Sequence, residues 1–252
     1  MKQYMIVLLL GHVLGDFYTQ TEETAKKKES RFLWVMIHCL SYLGTMVLTN
    51  SLMSPANVIY LSLTAAICHF FIDTGKYFYL MTLTNQKKKT PEKERNIFFV
   101  DQILHIISLL VISFIPASRH FQTWKWQIVT GFFDTAGISF EVTAAWILAL
   151  LLVHKPMNLM IQKMLLIYKP MDRTGEMKRN RNAGRLIGTM ERIIMLILIS
   201  RGQHSAAGLV LTAKSIARYD RISKDQDFAE YYLLGTLMST AGAILCSRFL
   251  IT

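Results

Sequence analysis

Hydrophobic residues fall in blocks of about 15 to 25 positions, the length a helix needs to cross a bilayer. Eight helical segments are predicted, at about 3–20, 32–49, 56–83, 97–115, 126–154, 186–200, 204–219 and 230–250. The first, sixth and seventh are short enough to be tilted or partly re-entrant. The fifth is long and interrupted by Gly131 and Gly137, which permits two pieces. The expected fold is an all-α, polytopic transmembrane bundle of seven or eight helices. Its parts are an N-terminal membrane domain over 1–154, a basic loop over 155–185 and a three-helix membrane segment over 186–252.

Composition sharpens the class. Hydrophobic residues make up 52% and charged residues 18%, against roughly 25% charged in an ordinary soluble domain. This excludes a soluble globular enzyme, a secreted disulfide scaffold and a disordered chain. Cys39, Cys68 and Cys246 all lie in apolar runs, where cysteine packs as a small hydrophobe, so no disulfide is expected. No cleavable signal peptide is expected either, because the first apolar stretch carries His12 and Asp16.

The formal charge of +11 has two readings. Nucleic acid is one, but no nucleic-acid motif accompanies the basic residues. Basic loops on the cytoplasmic side of a membrane are the other. An external N-terminus makes 21–31, 84–96, 155–185 and 214–229 cytoplasmic, and these hold 21 of the 28 Lys and Arg residues. The opposite side has Lys2, Arg119, Lys125, Arg201 and Arg248, while Lys76 and Arg192 fall inside helices. This asymmetry predicts a multi-pass protein of the plasma or inner membrane with its N-terminus outside. Trp124 and Trp126 then belong to the outer interfacial belt.

Ionisable residues inside membrane helices are costly and are functional candidates. Three pairs stand out: His12/Asp16, His69/Asp73 and Asp101/His105, each at spacing i,i+4, which places both side chains on one helix face. His38 adds a fourth imidazole. With the N-terminus outside, most of these residues sit roughly 6–12 Å from the cytoplasmic interface at about 1.5 Å per residue. Imidazole with carboxylate suits Zn²⁺, Mn²⁺ or Fe²⁺ better than Mg²⁺ or Ca²⁺, with Zn or Mn expected. The set is enough for one metal with supporting partners or for two metals sharing a carboxylate. A hydrogen-bonded polar core and a proton or ion pathway are the alternatives. Lys76, one turn beyond Asp73, is a local candidate to neutralise it.

A second group lies in the C-terminal part: Arg185, Glu191 and Arg192, then Lys214 and Arg218, then Glu230. The same topology puts it on the cytoplasmic side. Converging guanidinium and ammonium groups suit a phosphate. Alternatively, they only mark the interface, neutralise Glu191 and Glu230, or bind anionic head groups.

The G-H-x-x-G-D-F-x-x-Q stretch (Gly11, His12, Gly15, Asp16, Phe17, Gln20), the H-x-x-x-D of His69/Asp73 and the D-Q-x-x-H of Asp101/Gln102/His105 resemble a bacterial membrane family of unknown function. The later G-R-x-x-G-x-x-E-R, A-K-S-x-x-R and F-A-E-Y-Y-L-x-G-T-x-x-S stretches resemble it too. More distantly, the helical His/Asp pairs are similar to inner-membrane metal-dependent hydrolases, which implies hydrolysis by analogy alone.

The leading functional expectation is a metal-dependent hydrolase of a phosphorylated, lipid-linked substrate. His12, Asp16, His38, His69, Asp73, Asp101 and His105 would be ligands or their supports. Asp16, Asp73 and Asp101 are the candidate catalytic carboxylates, while Arg185, Glu191, Arg192, Lys214, Arg218 and Glu230 would contact substrate. A divalent metal transporter and a non-catalytic scaffold or sensor are the competing classes. Expected partners are membrane lipids, an anionic lipid substrate and a second copy of the chain, with no nucleic acid.

Overall fold

The computed structural model describes residues 2–52, 55–86, 88, 90–118, 127–168 and 177–251. Trp124, Trp126, Arg119, Lys125 and the stretch 169–176, which includes Arg173, lie outside the described residues, as do the side chains of Lys178, Arg179 and Arg181. Every regular element among the described residues is helical: α1 (Lys2–Val13), α2 (Glu22–Ser30), α3 (Phe32–Asn50), α4 (Pro55–Asn85), α5 (Pro91–Ser118), α6 (Gln127–Ala136), α7 (Phe140–Met164), α8 (Met177–Ser200), α9 (His204–Ile216), α10 (Tyr219–Lys224) and α11 (Gln226–Cys246). Among the described residues, five stretches, 32–50, 58–85, 91–115, 140–167 and 226–251, are long and apolar enough to cross a membrane.

The apolar blocks are helices, but several boundaries differ from the hydropathy pattern. Helix α5 begins at Pro91 rather than near 97. Pro91 at its first position with Glu92 and Glu94 in the first turn is good helix-start chemistry, and Thr90 Oγ1 accepts from Lys93 N. The 126–154 segment is two helices. They part at Gly137, whose φ of 66° favours glycine, whereas Gly131 stays inside α6. Helix α7 then runs through Pro156 to Met164, and α8 begins at Met177, so much of 155–185 is helix. Between α1 and α3, a stretch read as loop forms α2. Its start is a reciprocal cap in which Thr21 and Thr24 exchange backbone and side-chain hydrogen bonds, the device that satisfies orphan N–H groups at a helix start.

The chain divides into two compact units, residues 1–148 and 149–252. In the first, α1 packs on α3 and α5, α3 on α4, and α4 on α5, closing a ring of four helices. One end of its interior is apolar, built from Tyr4, Val7, Leu8, Met46, Leu61, Ala65, Leu109 and Ile112. The other end holds the buried side chains of His12, His38, His69, Asp73, Asp101 and His105. Outward positions such as Leu33, Leu40, Leu48, Ile67, Phe71, Ile103, Val111 and Phe114 are large, apolar and exposed. Polar residues inside and apolar residues outside invert the soluble pattern and suit hydrocarbon as the solvent.

In the second unit α11 packs on α8, and α8 on α9. Met195, Ala207 and Ala243 form one of its apolar clusters, and Val153, Met157, Leu165 and Leu196 are buried as well.

Candidate metal centre

Two glycines let α1 approach α3 closely. A Cβ at Gly15 would stand 2.5 Å from Thr45 Oγ1 and 2.8 Å from Tyr42 Cδ2, and one at Gly11 would stand 2.5 Å from Thr49 Oγ1. Side chains at these positions would push the two backbones apart. Beyond His12 the helix widens into a π turn over Leu14–Tyr18, closed by Thr19 N donating to the Leu14 carbonyl at 2.9 Å. π turns inside α-helices recur at functional sites. This one carries Asp16, whose carboxylate accepts from Gln102 Nε2 at 3.1 Å.

His38 and His69 are the hub. Their Nε2 atoms are 3.0 Å apart. His38 Nε2 lies 3.3 Å from Asp16 Oδ1 and 3.4 Å from Asp73 Oδ2, and His69 Nε2 also lies 3.4 Å from Asp73 Oδ2. Transition metals bind imidazole and carboxylate at about 2.0–2.1 Å, which makes a tetrahedral ligand–ligand edge about 3.3–3.4 Å. The spacings around His38 are close to that edge and are also those of hydrogen bonds, and Asp16, His38 and His69 each offer a ligand atom within 4.8 Å of the others. Tyr42 packs its ring on His69, centroids 3.7 Å apart and nearly parallel, and its hydroxyl lies 3.3 Å from His12 Nδ1. It thus holds two imidazoles at once.

Next to this hub, His105 Nδ1 donates to the Asp101 carbonyl at 2.8 Å. That bond fixes the tautomer and leaves Nε2 as the acceptor, the usual way a ligand histidine is oriented. His12 and His105 stack at 5.2 Å, and His69 and His105 are 4.4 Å apart, centroid to centroid. All three His/Asp pairs and His38 therefore meet in one buried cluster.

Two lysines enter the cluster. Lys28, from α2, donates to Asp73 Oδ2 at 2.9 Å. Lys76 donates to Asp101 Oδ2 at 2.8 Å, and its charge also acts on Asp73. Sequence spacing could not suggest Lys28, which stands 45 positions from Asp73 on a helix with no apolar stripe. Gln102, which bridges Asp16 and Asp101, was legible only as part of the D-Q-x-x-H pattern. Cys39 is buried beside the hub, and one atom each of Cys39, His69 and Asp73 lie within 4.8 Å of one another.

Even so, buried polar atoms remain without a hydrogen-bond partner: His12 Nε2, His69 Nδ1, Asp73 Oδ1, Asp101 Oδ1 and His105 Nε2. Buried polar groups are nearly always satisfied, and each exception asks for an explanation such as an ion. The donor set is nitrogen and oxygen, mixed imidazole and carboxylate, which fits a transition metal. The three carboxylates with Lys28 and Lys76 carry a net charge of −1, which a divalent cation would reverse to +1.

The second unit places its candidates differently. Glu191 is buried and pairs with Lys214 at 2.6 Å. Lys214 and Arg218 lie over the Tyr232 ring at 5.4 Å and 5.9 Å, a cation–π arrangement. Glu230 is exposed and accepts from Gln226 Nε2 at 3.2 Å, and Arg185 is half-buried. Arg192 is 2% exposed and does not join the Lys214 group. It donates to the Val153 carbonyl at 2.6 Å, Asn158 Oδ1 at 2.7 Å, Ser239 Oγ at 3.2 Å and Thr189 Oγ1 at 3.3 Å. It ties α7, α8 and α11 together.

No curated protein and no solved structure matches the chain. A family model described as "Protein of unknown function (DUF3307)" matches residues 4–130. That stretch is just over half of the chain and contains every residue of the His/Asp cluster. The chain therefore belongs to this family of unknown function, DUF3307.

Proposed function

We propose that the protein is an integral-membrane metal-dependent hydrolase of the plasma or inner membrane, acting on a phosphorylated, lipid-linked substrate near the cytoplasmic face. The observation that carries this reading is the convergence of Asp16, His38, His69 and Asp73, with ligand atoms 3.0–3.4 Å apart around His38 Nε2. A bound Zn²⁺ or Mn²⁺ supplies Lewis acidity, polarising a phosphoryl oxygen and lowering the pKa of water toward neutrality.

The chain's own groups supply the rest. Lys28 and Lys76 bring two ammonium groups beside the carboxylates, placed to meet charge on a phosphate once a metal takes over the carboxylates. Asp16 reaches the hub from a π turn and is held by Gln102, which suits it to be a metal ligand, and an uncoordinated Asp or His would receive the proton from water. An external N-terminus orients the bundle so that α2, with its Lys26-Lys27-Lys28 run, sits at the cytoplasmic interface. Lys214 and Arg218 then serve as contacts for anionic lipid.

The test is phosphate release by the full-length, metal-loaded protein in detergent from phosphatidate, polyprenyl phosphate and an aryl phosphate. Release that needs metal and is lost in Asp16→Asn supports the reading. No release from any of the three, with divalent ions instead crossing vesicles that contain the protein, would replace it with a transporter.

A further inference from the structure

The proposed hub uses Asp73 Oδ2, and the same aspartate also belongs to a second group of candidate ligands. Asp73, Asp101 and His105 each offer one ligand atom, and these lie within 4.8 Å of one another. All three residues are at most 4% exposed. Each holds a buried atom with no hydrogen-bond partner: Asp73 Oδ1, Asp101 Oδ1 and His105 Nε2. The remaining atoms of these residues are committed in a way that leaves these three presented. Asp101 Oδ2 accepts from Lys76 and Gln102, and His105 Nδ1 donates to a backbone carbonyl. His12, stacked on His105, has its own Nε2 buried and unpartnered, a fourth nitrogen beside the group.

We infer that Asp73 bridges two metal ions, one held with Asp16, His38 and His69 and the other with Asp101 and His105, with His12 completing the second. The inference rests on the metal reading above and extends it to a binuclear centre. Two-metal sites that process phosphates hold their ions about 3.5–4 Å apart, and a carboxylate whose Oδ2 lies by His38 and His69 while its buried Oδ1 has no partner is a suitable bridge. Charge supports the same class of ligand. Three aspartates with Lys28 and Lys76 leave −1, and two divalent ions change this to +3. A phosphate monoester dianion is attracted to such a site far more than to one carrying +1. The substrate class that follows is a phosphate monoester, and inorganic phosphate is the simplest probe of it.

The experiment is Mn²⁺ loading of the full-length protein in detergent, read by metal stoichiometry and by electron paramagnetic resonance. The expected result is two Mn²⁺ per chain with a spin-coupled spectrum that changes when inorganic phosphate is added. In Asp101→Asn and in His105→Ala, one ion per chain with an isolated-ion spectrum is expected. One isolated ion in the wild type would overturn the second site and leave the hub standing, whereas no ion at all would overturn both. Two coupled ions persisting in both variants would also overturn the assignment of Asp101 and His105. The wild-type spectrum decides the number of ions even if a variant fails to fold.

Discussion

Lys28 Nζ lies 2.9 Å from Asp73 Oδ2, joining a short polar helix to a carboxylate inside the four-helix ring. The lysine side chain is 12% exposed and the aspartate 1%, so the pair is largely withdrawn from water. An ammonium group on a ligand oxygen competes with a metal for it. At an effective dielectric near 20, a unit charge about 4 Å away is worth about 4 kcal/mol. Lys28→Gln should therefore bind Mn²⁺ or Zn²⁺ at least about tenfold more tightly, while binding of inorganic phosphate to the loaded protein weakens. Calorimetric titration of both ligands checks this. An unchanged metal affinity would mean that Asp73 is not a ligand.

Gly15 faces Thr45 and Tyr42 at distances no Cβ tolerates. Gly15→Ala should lower thermal stability by about 1–3 kcal/mol, the usual range for overpacking, and should reduce metal content by moving the π turn that carries Asp16. Gly44, on the neighbouring helix with nothing within 4 Å of its would-be Cβ, is the control. Gly44→Ala should be neutral or slightly stabilising. Thermal denaturation in detergent with elemental analysis separates the two.

Arg192 has its guanidinium spent on Val153, Asn158, Thr189 and Ser239. Arg192→Met takes this donor from the Val153 carbonyl, Asn158 Oδ1 and Ser239 Oγ, at about 1–3 kcal/mol for each that water cannot reach, whereas Thr189 Oγ1 keeps Asn158 Nδ2. Arg192→Lys cannot reproduce the planar fork and should also destabilise. Metal content should be unchanged in both, because none of these partners belongs to the His/Asp cluster. Loss of metal with unchanged stability would be the opposite of this expectation.

Orientation is read from the 21 basic residues assigned to one side. In a variant lacking the three native cysteines, Asn85→Cys and Ser223→Cys should resist an impermeant thiol reagent in intact cells. Leu52→Cys and Gln203→Cys should react. The reverse pattern would move the His/Asp cluster to the outer face.

The three His/Asp pairs were legible because a spacing of four fixes a common face whatever the tertiary structure. Their meeting point was legible from shared depth. What the sequence could not convey were partners supplied from a distance. Lys76 was a candidate to neutralise Asp73, one turn away on its own helix, and its charge does act there, but its hydrogen bond goes to Asp101, which the neighbouring helix brings to 2.8 Å. Arg185 and Arg192 share a face by spacing, yet Arg192 finds its partners on α7 and α11, which no local pattern announces. Gly188 lies between the two arginines in the sequence. Its would-be Cβ stands 3.3 Å from Arg192 Nη1, so it leaves room for the guanidinium. Helix α2 was missed because it has no apolar stripe, and its capping threonines are a weaker signal than hydropathy.

His69 touches more of the cluster than any other side chain described above. Its Nε2 lies 3.0 Å from His38 Nε2 and 3.4 Å from Asp73 Oδ2, and its ring stacks on Tyr42. The most direct measurement is elemental analysis of the full-length protein, purified without chelator and equilibrated with Zn²⁺ or Mn²⁺, beside His69→Ala treated identically. The account predicts at least one transition metal per chain in the wild type and a large loss in His69→Ala, with both proteins monodisperse. A wild type that retains no metal, or a His69→Ala protein that retains all of it, would contradict the claim that these residues form a metal centre.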